Sequence, residues 1–209
     1  MTPAAVRPLR PDEADAAAGV LARAFHHDPL ALLLSPDEAR RDHVMRWFFG
    51  VVLRYGQAFG EVWVADDLGG VAIWWAPPYV EPTPERAMHV GFGEGPAYLG
   101  ADLWDVFMAF GATMDAVRRA SVSSPYWYLN VLGVEPDRQN QGIGSRLMAT
   151  MFTRMDRDGL PIYLETLTPA DVTYYERRGF VLASEEHDPV TGLHLRGMHR
   201  DPVAPTASA

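Results

Sequence analysis

The chain of 209 residues contains no cysteine, which excludes disulfides, thiolate metal sites and a cysteine nucleophile. It contains no lysine either, so arginine supplies all 18 of its strongly basic residues. No apolar run approaches the roughly 20 residues that a membrane-spanning helix needs, and the N-terminus lacks the basic-then-apolar pattern of a secretory signal. These absences predict a cytoplasmic protein without a membrane partner.

The chain is acidic, with a formal net charge of −9. Negative charge disfavours binding to nucleic acid or anionic lipid and attracts cationic ligands, so no nucleic-acid partner is expected. The seven histidines show no metal-ligand spacing, and no metal is predicted. The length suits a single domain, which we place at residues 1–200, followed by a flexible Pro-containing tail at residues 201–209.

Hydrophobic periods of two and 3.6 residues alternate along the chain, which predicts strands mixed with helices. The expected strands are VRPLR (6–10), EVWVADD (61–67), GGVAIWWA (69–76), YWYLNVLGV (126–134), IYLETLT (162–168), FVLASEEHD (180–188) and LHLRGMHR (193–200). The expected helices cover about 11–25, 36–55, 101–120, 141–158 and 169–179. The fold class predicted from this order is α+β, with a mixed sheet flanked by helices.

The stretch PDRQNQGIGSRL (136–147) follows the strand that is apolar on both faces and opens a helix. Gly142 and Gly144 allow close backbone approach, and the free amides at a helix start form an anion site that suits a pyrophosphate. A flexible turn is the alternative. A Walker loop is excluded because it needs lysine, and a dinucleotide fingerprint is excluded because Leu147 stands where its third glycine or alanine belongs.

The remaining pattern, Gln139-x-x-Gly142-x-Gly144 after LGVEP, resembles the acyl-CoA pyrophosphate loop of the GCN5-related N-acetyltransferases (GNAT). YYERRGF (174–180) is similar to that family's Tyr-Glu-x-x-Gly-Phe segment, and the chain as a whole resembles the puromycin N-acetyltransferase-like subgroup. The resemblance implies the GNAT fold, in which two parallel strands, here 126–134 and 161–167, splay apart around acetyl-CoA as cosubstrate.

The resemblance also implies which residues hold the cofactor. The backbone of Leu132, Gly133 and Val134 would bind the pantetheine arm, with Asp171 in place of the family's usual Asn. The pyrophosphate would be held by the amides of Gln139, Asn140, Gln141, Gly142, Ile143, Gly144 and Ser145. Arg138 and Arg146 would either add positive charge to this loop or lie on the solvated surface.

Two residues carry the chemistry that the family requires. Tyr175 falls where the family places its general acid, and its hydroxyl would stabilise the departing CoA thiolate. Glu165 is the candidate base or amine-positioning group. The alternatives are a packed aromatic for Tyr175 and a structural carboxylate for Glu165.

The acceptor pocket is expected from the first half of the chain. Its candidate residues are Phe25, Asp28, Trp75 and Tyr79, because aromatic rings beside a carboxylate suit an aromatic or cationic amine. Strand alternation allows only one of Trp74 and Trp75 to face this pocket.

Three functions remain open at this point. The first is an N-acetyltransferase acting on a primary amine of a small molecule, with aminonucleosides and other antibiotics among the candidates. The second is a protein or peptide N-acetyltransferase, and the third is an idle acyl-CoA-binding sensor module. The chain is expected to be a monomer or a homodimer.

Overall fold

A computed structural model describes residues 5–203 and contains a seven-stranded sheet of order β1-β2-β3-β4-β5-β7-β6. The strands are β1 (Val6–Pro8), β2 (Gly60–Ala65), β3 (Gly70–Trp75), β4 (Trp127–Val134), β5 (Ile162–Thr166), β6 (Val181–His187) and β7 (His194–Arg200). Neighbours are antiparallel except for β4 and β5, which are parallel. The mixed sheet expected from the sequence is therefore confirmed.

Eight α-helices flank this sheet within the described residues. They are α1 (Ala14–Ala24), α2 (Pro29–Leu34), α3 (Glu38–Phe59), α4 (Pro84–His89), α5 (Gly95–Leu99), α6 (Ala101–Ser121), α7 (Ile143–Asp158) and α8 (Pro169–Glu176). The sequence reading missed three short helices, α2, α4 and α5, and ended α3 four residues early. Each of the three has proline in its first turn, which gives a weak signal in so short a segment.

The two faces of the sheet carry separate apolar clusters. Helices α1 to α3 pack on the face that presents Val71 and Ile73 of β3, whereas α7 packs on the face that presents Ala72 and Trp74. Trp74 is fully buried against α7, and Trp75 points to the opposite face. Strand alternation thus separates the two tryptophans as predicted.

A β-bulge at Asn130 changes which residues of β4 point to which face. Ile73 of β3 pairs with Val131 and Trp74 pairs with Leu129, so Asn130 has no partner. Leu129 therefore faces α7, while Val131 faces α1. A bulge also bends its strand and increases the local twist, and this one lies where β4 leaves β5.

Strands β4 and β5 pair only at their beginnings, through Trp127 with Ile162 and Tyr128 with Tyr163. Beyond these pairs β4 continues to Val134 and β5 to Thr166 without pairing to each other. The expected splay of two parallel strands in the middle of the sheet is present. It leaves one backbone edge of β4 open over its second half.

The last strand of the sheet, β7, ends at Arg200. The assignment of a single domain to residues 1–200 stays a prediction. Residues 1–4 and 204–209 lie outside the described residues, so the tail stays a prediction. In the described part of the chain, none of the helices is both long enough and apolar enough to cross a membrane.

Gly60, the first residue of β2, provides a test of this sheet. A Cβ atom added there would lie 1.9 Å from the main-chain oxygen of Trp74, so Gly60→Ala forces backbone to move. We expect the free energy of unfolding in urea to fall by about 2 kcal/mol or more. Gly111→Ala, in α6 with no atom within 4 Å of the added Cβ, is the control and should stabilise by roughly 0.5–1 kcal/mol. Equal stability of Gly60→Ala and wild type would contradict the β2–β3 register.

Candidate active site

A cavity of about 190 Å³ occupies the opening between β4 and β5. Its polar lining includes Asp28, Asn130, Glu165, Asp171 and Tyr175, and its apolar wall comes from α3, α6 and the region between α1 and α2. The cavity therefore brings together residues that are far apart in sequence. Both candidate catalytic residues, Glu165 and Tyr175, line it.

Glu165 lies near the end of β5 and shares a face with Tyr163, because residues two apart on a strand point the same way. Burial raises the pKa of its carboxyl to about 7, while the hydroxyl of Tyr128 and the charge of Arg118 limit the rise. Its Oε1 atom is buried and finds no hydrogen-bond partner among residues 5–203. Such a carboxyl can accept a proton near neutral pH.

Tyr175 approaches the same cavity from the other side of the sheet. Its ring packs against Phe180, with ring centres 5.6 Å apart, as part of the cluster on the α7 face. Burial, followed by the negative charge of Asp171, raises the pKa of its hydroxyl, so this group stays protonated at neutral pH. The opening between β4 and β5 thus has a proton acceptor on one face and a hydrogen-bond donor on the other.

Asp171 precedes Tyr175 by one helical turn and takes part in the hydrogen bonds at the start of α8. Its Oδ2 atom accepts hydrogen bonds from the hydroxyls of Thr168 at 2.6 Å and Thr166 at 3.0 Å, and Thr168 caps the helix by accepting from the Asp171 amide. This network fixes the end of β5 relative to α8. The other carboxylate oxygen, Oδ1, makes no hydrogen bond to the described residues.

The glycine loop has the backbone of an anion cradle. Gly142 has a φ of 78°, in the left-handed region that favours glycine, and it directly precedes α7. The side chain of Gln139 donates to the carbonyl of Val134, and that of Gln141 donates to the carbonyl of Asp137, so both fold the loop on itself. The first backbone amides of α7 have no hydrogen-bond acceptor within the helix, and they lie at the positive end of the helix dipole.

Gly144 also has a packing role that the sequence did not predict. A Cβ atom there would lie 2.6 Å from the hydroxyl of Tyr174, so the space beside Gly144 is filled by this ring. Arg178 stacks on the same ring, 3.4 Å from its centre, and donates to the Ser145 hydroxyl at 2.7 Å. Tyr174 therefore supports the loop while Tyr175 faces the cavity, and the sequence reading missed the guanidinium that Arg178 places beside the loop.

The two arginines that the sequence offered for this loop have partners within the protein. Arg138 forms an ion pair with Asp67 at 2.8 Å, and Arg146 donates to the Gln141 carbonyl at 3.2 Å. Arg138 is therefore directed to the β2–β3 turn. Arg178 comes from the second arginine of YERRGF, a position that no local pattern distinguishes from a surface residue.

The β4 backbone from Leu132 to Val134 runs along the open edge of the strand. Leu132 lines the cavity. A Cβ atom at Gly133 would lie 2.6 Å from the Leu21 side chain, so this glycine lets α1 pack directly on the strand. The expected pantetheine-binding segment is thus held by packing on one side and open on the other.

The predicted acceptor residues divide into two groups. Phe25 and Asp28 line the cavity. Trp75 lies outside it, packed between Tyr55 and Tyr128 at ring distances of 4.4 and 5.3 Å. Tyr79 also lies outside it and is 40% exposed beneath the guanidinium of Arg86.

Other apolar residues form the cavity wall where Trp75 and Tyr79 were expected. They lie on helix faces whose sequence pattern predicts core residues. They are Leu30, Met45, Phe48, Phe49, Phe110 and Met114. Their helical spacing is that of a buried stripe, which gives no sign that a cavity adjoins it. Tyr128, the last residue of β4 that pairs with β5, was also missed, because a strand that is apolar on both faces gives no sign of which position adjoins a cavity.

A wider groove of about 710 Å³ lies above the β2–β3 turn and residues 135–138. Its arginines are engaged, since Arg23 pairs with Glu135 and Arg138 pairs with Asp67. The smaller cavity holds the unpartnered oxygen of Glu165 and is bounded by the two splayed strands. It is the better candidate for chemistry.

Comparison with known proteins agrees with this geometry. The model of the Acetyltransferase (GNAT) domain matches residues 105–182, a segment from within α6 to the start of β6 that includes the loop, Glu165 and Tyr175. An uncharacterised N-acetyltransferase of Schizosaccharomyces pombe is 26% identical over 175 residues, covering 79% of this chain and 69% of that protein.

Solved structures share the fold. A structure described as histone acetyltransferase HPA2 and related acetyltransferase, from Corynebacterium glutamicum, has a TM-score of 0.70 at 23% identity, covering 99% of this chain and 100% of that one. The ribosomal-protein-S18-alanine N-acetyltransferase of Escherichia coli has a TM-score of 0.53 at 15% identity, covering 98% of both chains.

The seven-stranded sheet with its splayed central strands has the GNAT acyltransferase fold. Within it, the chain carries a GNAT acetyltransferase domain at residues 105–182.

Proposed function

We propose that the protein transfers an acetyl group from acetyl-CoA to a primary amine of a small molecule by direct attack. The observation that carries this proposal is the cavity in the β4–β5 opening, which has Glu165 on one face of the sheet and Tyr175 on the other. When bound, acetyl-CoA supplies the activated acetyl group. GNAT acetyltransferases generally use this cosubstrate, and the glycine loop fits its pyrophosphate.

The loop residues have the properties that this binding requires. The amides from Gln139 to Ser145 include the free donors at the α7 N-terminus, and Gly142 adopts the left-handed backbone that turns them outward. Arg178 adds positive charge at Ser145. Along β4, the open backbone of Leu132 to Val134 offers amide and carbonyl groups to the pantetheine arm, and Asp171 Oδ1 offers one further acceptor.

Glu165 is proposed to take the proton from the attacking amine, directly or through a water molecule. The new nitrogen–carbon bond forms as the carbon–sulfur bond of the thioester breaks, and the amine proton passes to the carboxylate. An amine with a pKa of ~8 costs about 1 kcal/mol to deprotonate at pH 7, so a base whose pKa is about 7 is well matched to it.

Tyr175 is proposed to donate a hydrogen bond to the sulfur as its negative charge develops. A phenol is a weaker acid than a thiol, and burial raises the pKa of this hydroxyl further. Full proton transfer to the sulfur is therefore unfavourable in the ground state. A hydrogen bond that strengthens with charge supplies the stabilisation without that cost.

The shape of the cavity favours a small molecule over a protein. The E. coli neighbour is named for an alanine of a ribosomal protein, so this fold also serves protein acetylation. Here apolar residues of α3 and α6 line the cavity, and its volume of about 190 Å³ suits a small molecule better than a peptide segment. The sensor alternative is disfavoured because Glu165 and Tyr175 share one cavity.

The finer assignments from the sequence remain proposals. They are the puromycin N-acetyltransferase-like subgroup, an antibiotic or aminonucleoside acceptor, a cytoplasmic location, and a monomer or homodimer. The subgroup rests on the resemblance of three segments, YLETLTPADVTYYERRGF (163–180), EVWVADD (61–67) with VAIW (71–74), and LGVEPDRQNQGIGSRL (132–147). An acceptor screen and sedimentation analysis test the acceptor and the assembly.

The glycine loop is tested by comparing acetyl-CoA with S-acetylpantetheine, which lacks the nucleotide and pyrophosphate. We expect calorimetry to show acetyl-CoA binding at least tenfold tighter, because only acetyl-CoA reaches the α7 amides. Gly142→Ala should weaken acetyl-CoA binding by about tenfold, since a side chain disfavours its positive φ. S-acetylpantetheine binding should be unchanged in this variant.

The matched control for this loop is Gly159→Ala at the other end of α7. Gly159 also has a positive φ, 68°, and open space around it, but it lies far from the loop along the helix. It should leave both affinities unchanged. No binding of acetyl-CoA to the wild-type chain would refute the proposed function.

Tyr175→Phe tests the proposed donor. A hydrogen bond to a charged group is worth roughly 1.5–3 kcal/mol, so we expect kcat to fall about 10- to 100-fold with little change in KM for acetyl-CoA. Tyr98→Phe is the control, because this ring stacks on Trp47 away from the cavity. Unchanged turnover in Tyr175→Phe would show that this tyrosine contributes packing only and does not stabilise the departing thiolate.

Glu165→Gln tests the proposed base through the pH profile. The pKa of Glu165 is raised to about 7, so the carboxylate is present above that pH and is lost as the pH falls through it. We expect kcat/KM of the wild type to rise through about pH 7 and Glu165→Gln to lack this limb. A variant that keeps the limb would assign the titration to another group.

A stability measurement separates this effect from unfolding. A carboxyl whose pKa is raised in the folded state favours folding below the unfolded pKa near 4.5, and that contribution is lost as the pH rises through about 7. Glu165→Gln should therefore be at least as stable as the wild type at pH 8. Lost activity in a stable variant then reports on chemistry.

A further inference from the structure

Two carboxylates besides Glu165 line the cavity, and each accepts hydrogen bonds from the protein. Asp28 caps α2, with Oδ1 accepting from the Leu30 amide at 2.8 Å. Asp171 uses Oδ2 for the hydroxyls of Thr166 and Thr168. Backbone amides, those of Leu30 and Ala31, are the donors to Asp28, and no side chain among residues 5–203 pairs with its carboxylate. The helix cap therefore holds the Asp28 carboxylate in place without neutralising its charge, which leaves that charge for a cationic ligand.

Within residues 5–203, no positively charged side chain lines the cavity; Arg118, whose charge acts on Glu165, is not among its lining residues. Among the described residues that line it, three are acidic, Asp28, Glu165 and Asp171, and none is arginine or histidine. Burial raises the pKa of Asp28 to about 6, and the negative charge of Asp171 contributes to the rise. Two carboxylates that disfavour each other's charge in a poorly solvated space favour a cation between or beside them.

The rest of the wall selects for an apolar body. Three phenylalanine rings, those of Phe25, Phe48 and Phe49, form a tilted and edge-on series with centres 5.1 and 5.4 Å apart. Met45 and Met114 add polarisable sulfur to this wall, which suits contact with an aromatic ring. The volume of about 190 Å³ compares with the roughly 150 Å³ in which an apolar cavity binds benzene.

We propose that the acceptor is a small arylalkyl primary amine that enters as its ammonium ion, with Asp28 recognising the cation and the phenylalanine wall holding the ring. This inference rests on the proposed function and narrows its acceptor. The ammonium ion first releases one proton to solvent, and Glu165 takes the second proton as the nitrogen–carbon bond forms. The acetylated product is a neutral amide, so its attraction to Asp28 is lost and its release is favoured.

The inference is tested with four probes that separate cation from ring. They are 2-phenylethylamine, ethylamine, 2-phenylethanol and a short lysine-containing peptide, each assayed with acetyl-CoA or, for the alcohol, as a competitor. We expect KM for 2-phenylethylamine to be at least tenfold below that for ethylamine. Neither the alcohol nor the peptide should compete with it at tenfold higher concentration.

Asp28→Asn removes the charge and keeps the helix cap, because asparagine caps helices as well as aspartate does. It should raise KM for 2-phenylethylamine about 10- to 100-fold and weaken its calorimetric binding to the CoA-bound protein by the same factor, with acetyl-CoA affinity unchanged. Asp37→Asn is the matched control, since Asp37 caps α3 in the same way on the exposed surface. It should change neither value.

The outcomes distinguish this inference from the function on which it rests. Turnover of ethylamine or the peptide in preference to 2-phenylethylamine overturns the inference and leaves acetyl transfer intact. Equal binding of 2-phenylethylamine to wild type and Asp28→Asn removes Asp28 from recognition. Acetyl-CoA binding without turnover of any amine overturns the proposed function and the inference together.

Discussion

The early parting of two parallel strands is the constraint on which the site depends. Strands β4 and β5 share only two residue pairs, and the bulge at Asn130 turns β4 away just beyond them. A sheet whose central strands stayed paired would bury this edge and leave no path between its faces. Because they part, Glu165 on one face and Tyr175 on the other reach a common space. The reaction that we propose needs a proton acceptor and a charge-stabilising donor on opposite sides of one carbonyl carbon.

Several polar groups of the site also serve the local structure. Asp171 joins the end of β5 to the start of α8 through two threonine hydroxyls, and Asp28 caps α2. Arg178, stacked on Tyr174, braces the loop at Ser145. Side chains held by such contacts keep their geometry without a ligand, which reduces the ordering cost of binding. Substitutions that preserve the structural contact and remove only charge are therefore the informative ones.

The sequence predicted those features whose signals are local. Strand periodicity predicted all seven strands. The family resemblance singled out Gly142, which directly precedes α7, and Tyr175, which lines the cavity, and their roles stay predictions. Residues whose role depends on distant packing were not predictable. The sequence predicts Phe48 to be a core residue, because the apolar stripe of a helix has the same spacing whether it faces a cavity or a packed cluster. It predicts Trp75 to be a pocket residue, although the ring of Trp75 packs between Tyr55 and Tyr128. Arg178 lies beside the glycine loop only because the segment after α8 packs against the start of α7, and this contact cannot be read from the local sequence.

Two carboxylates with different surroundings can divide the work on one amine. Asp28 has a pKa of about 6 and is largely ionised at neutral pH, so it can attract an ammonium ion. Glu165 has a pKa of about 7 and an unpartnered oxygen, so it can accept the proton that leaves the nitrogen as the new bond forms. Binding and deprotonation of an amine have opposite charge requirements, and a single carboxylate would meet one at the expense of the other. Because the two carboxylates differ in burial and lie on different secondary-structure elements, the substrate can enter as a cation and leave as a neutral amide.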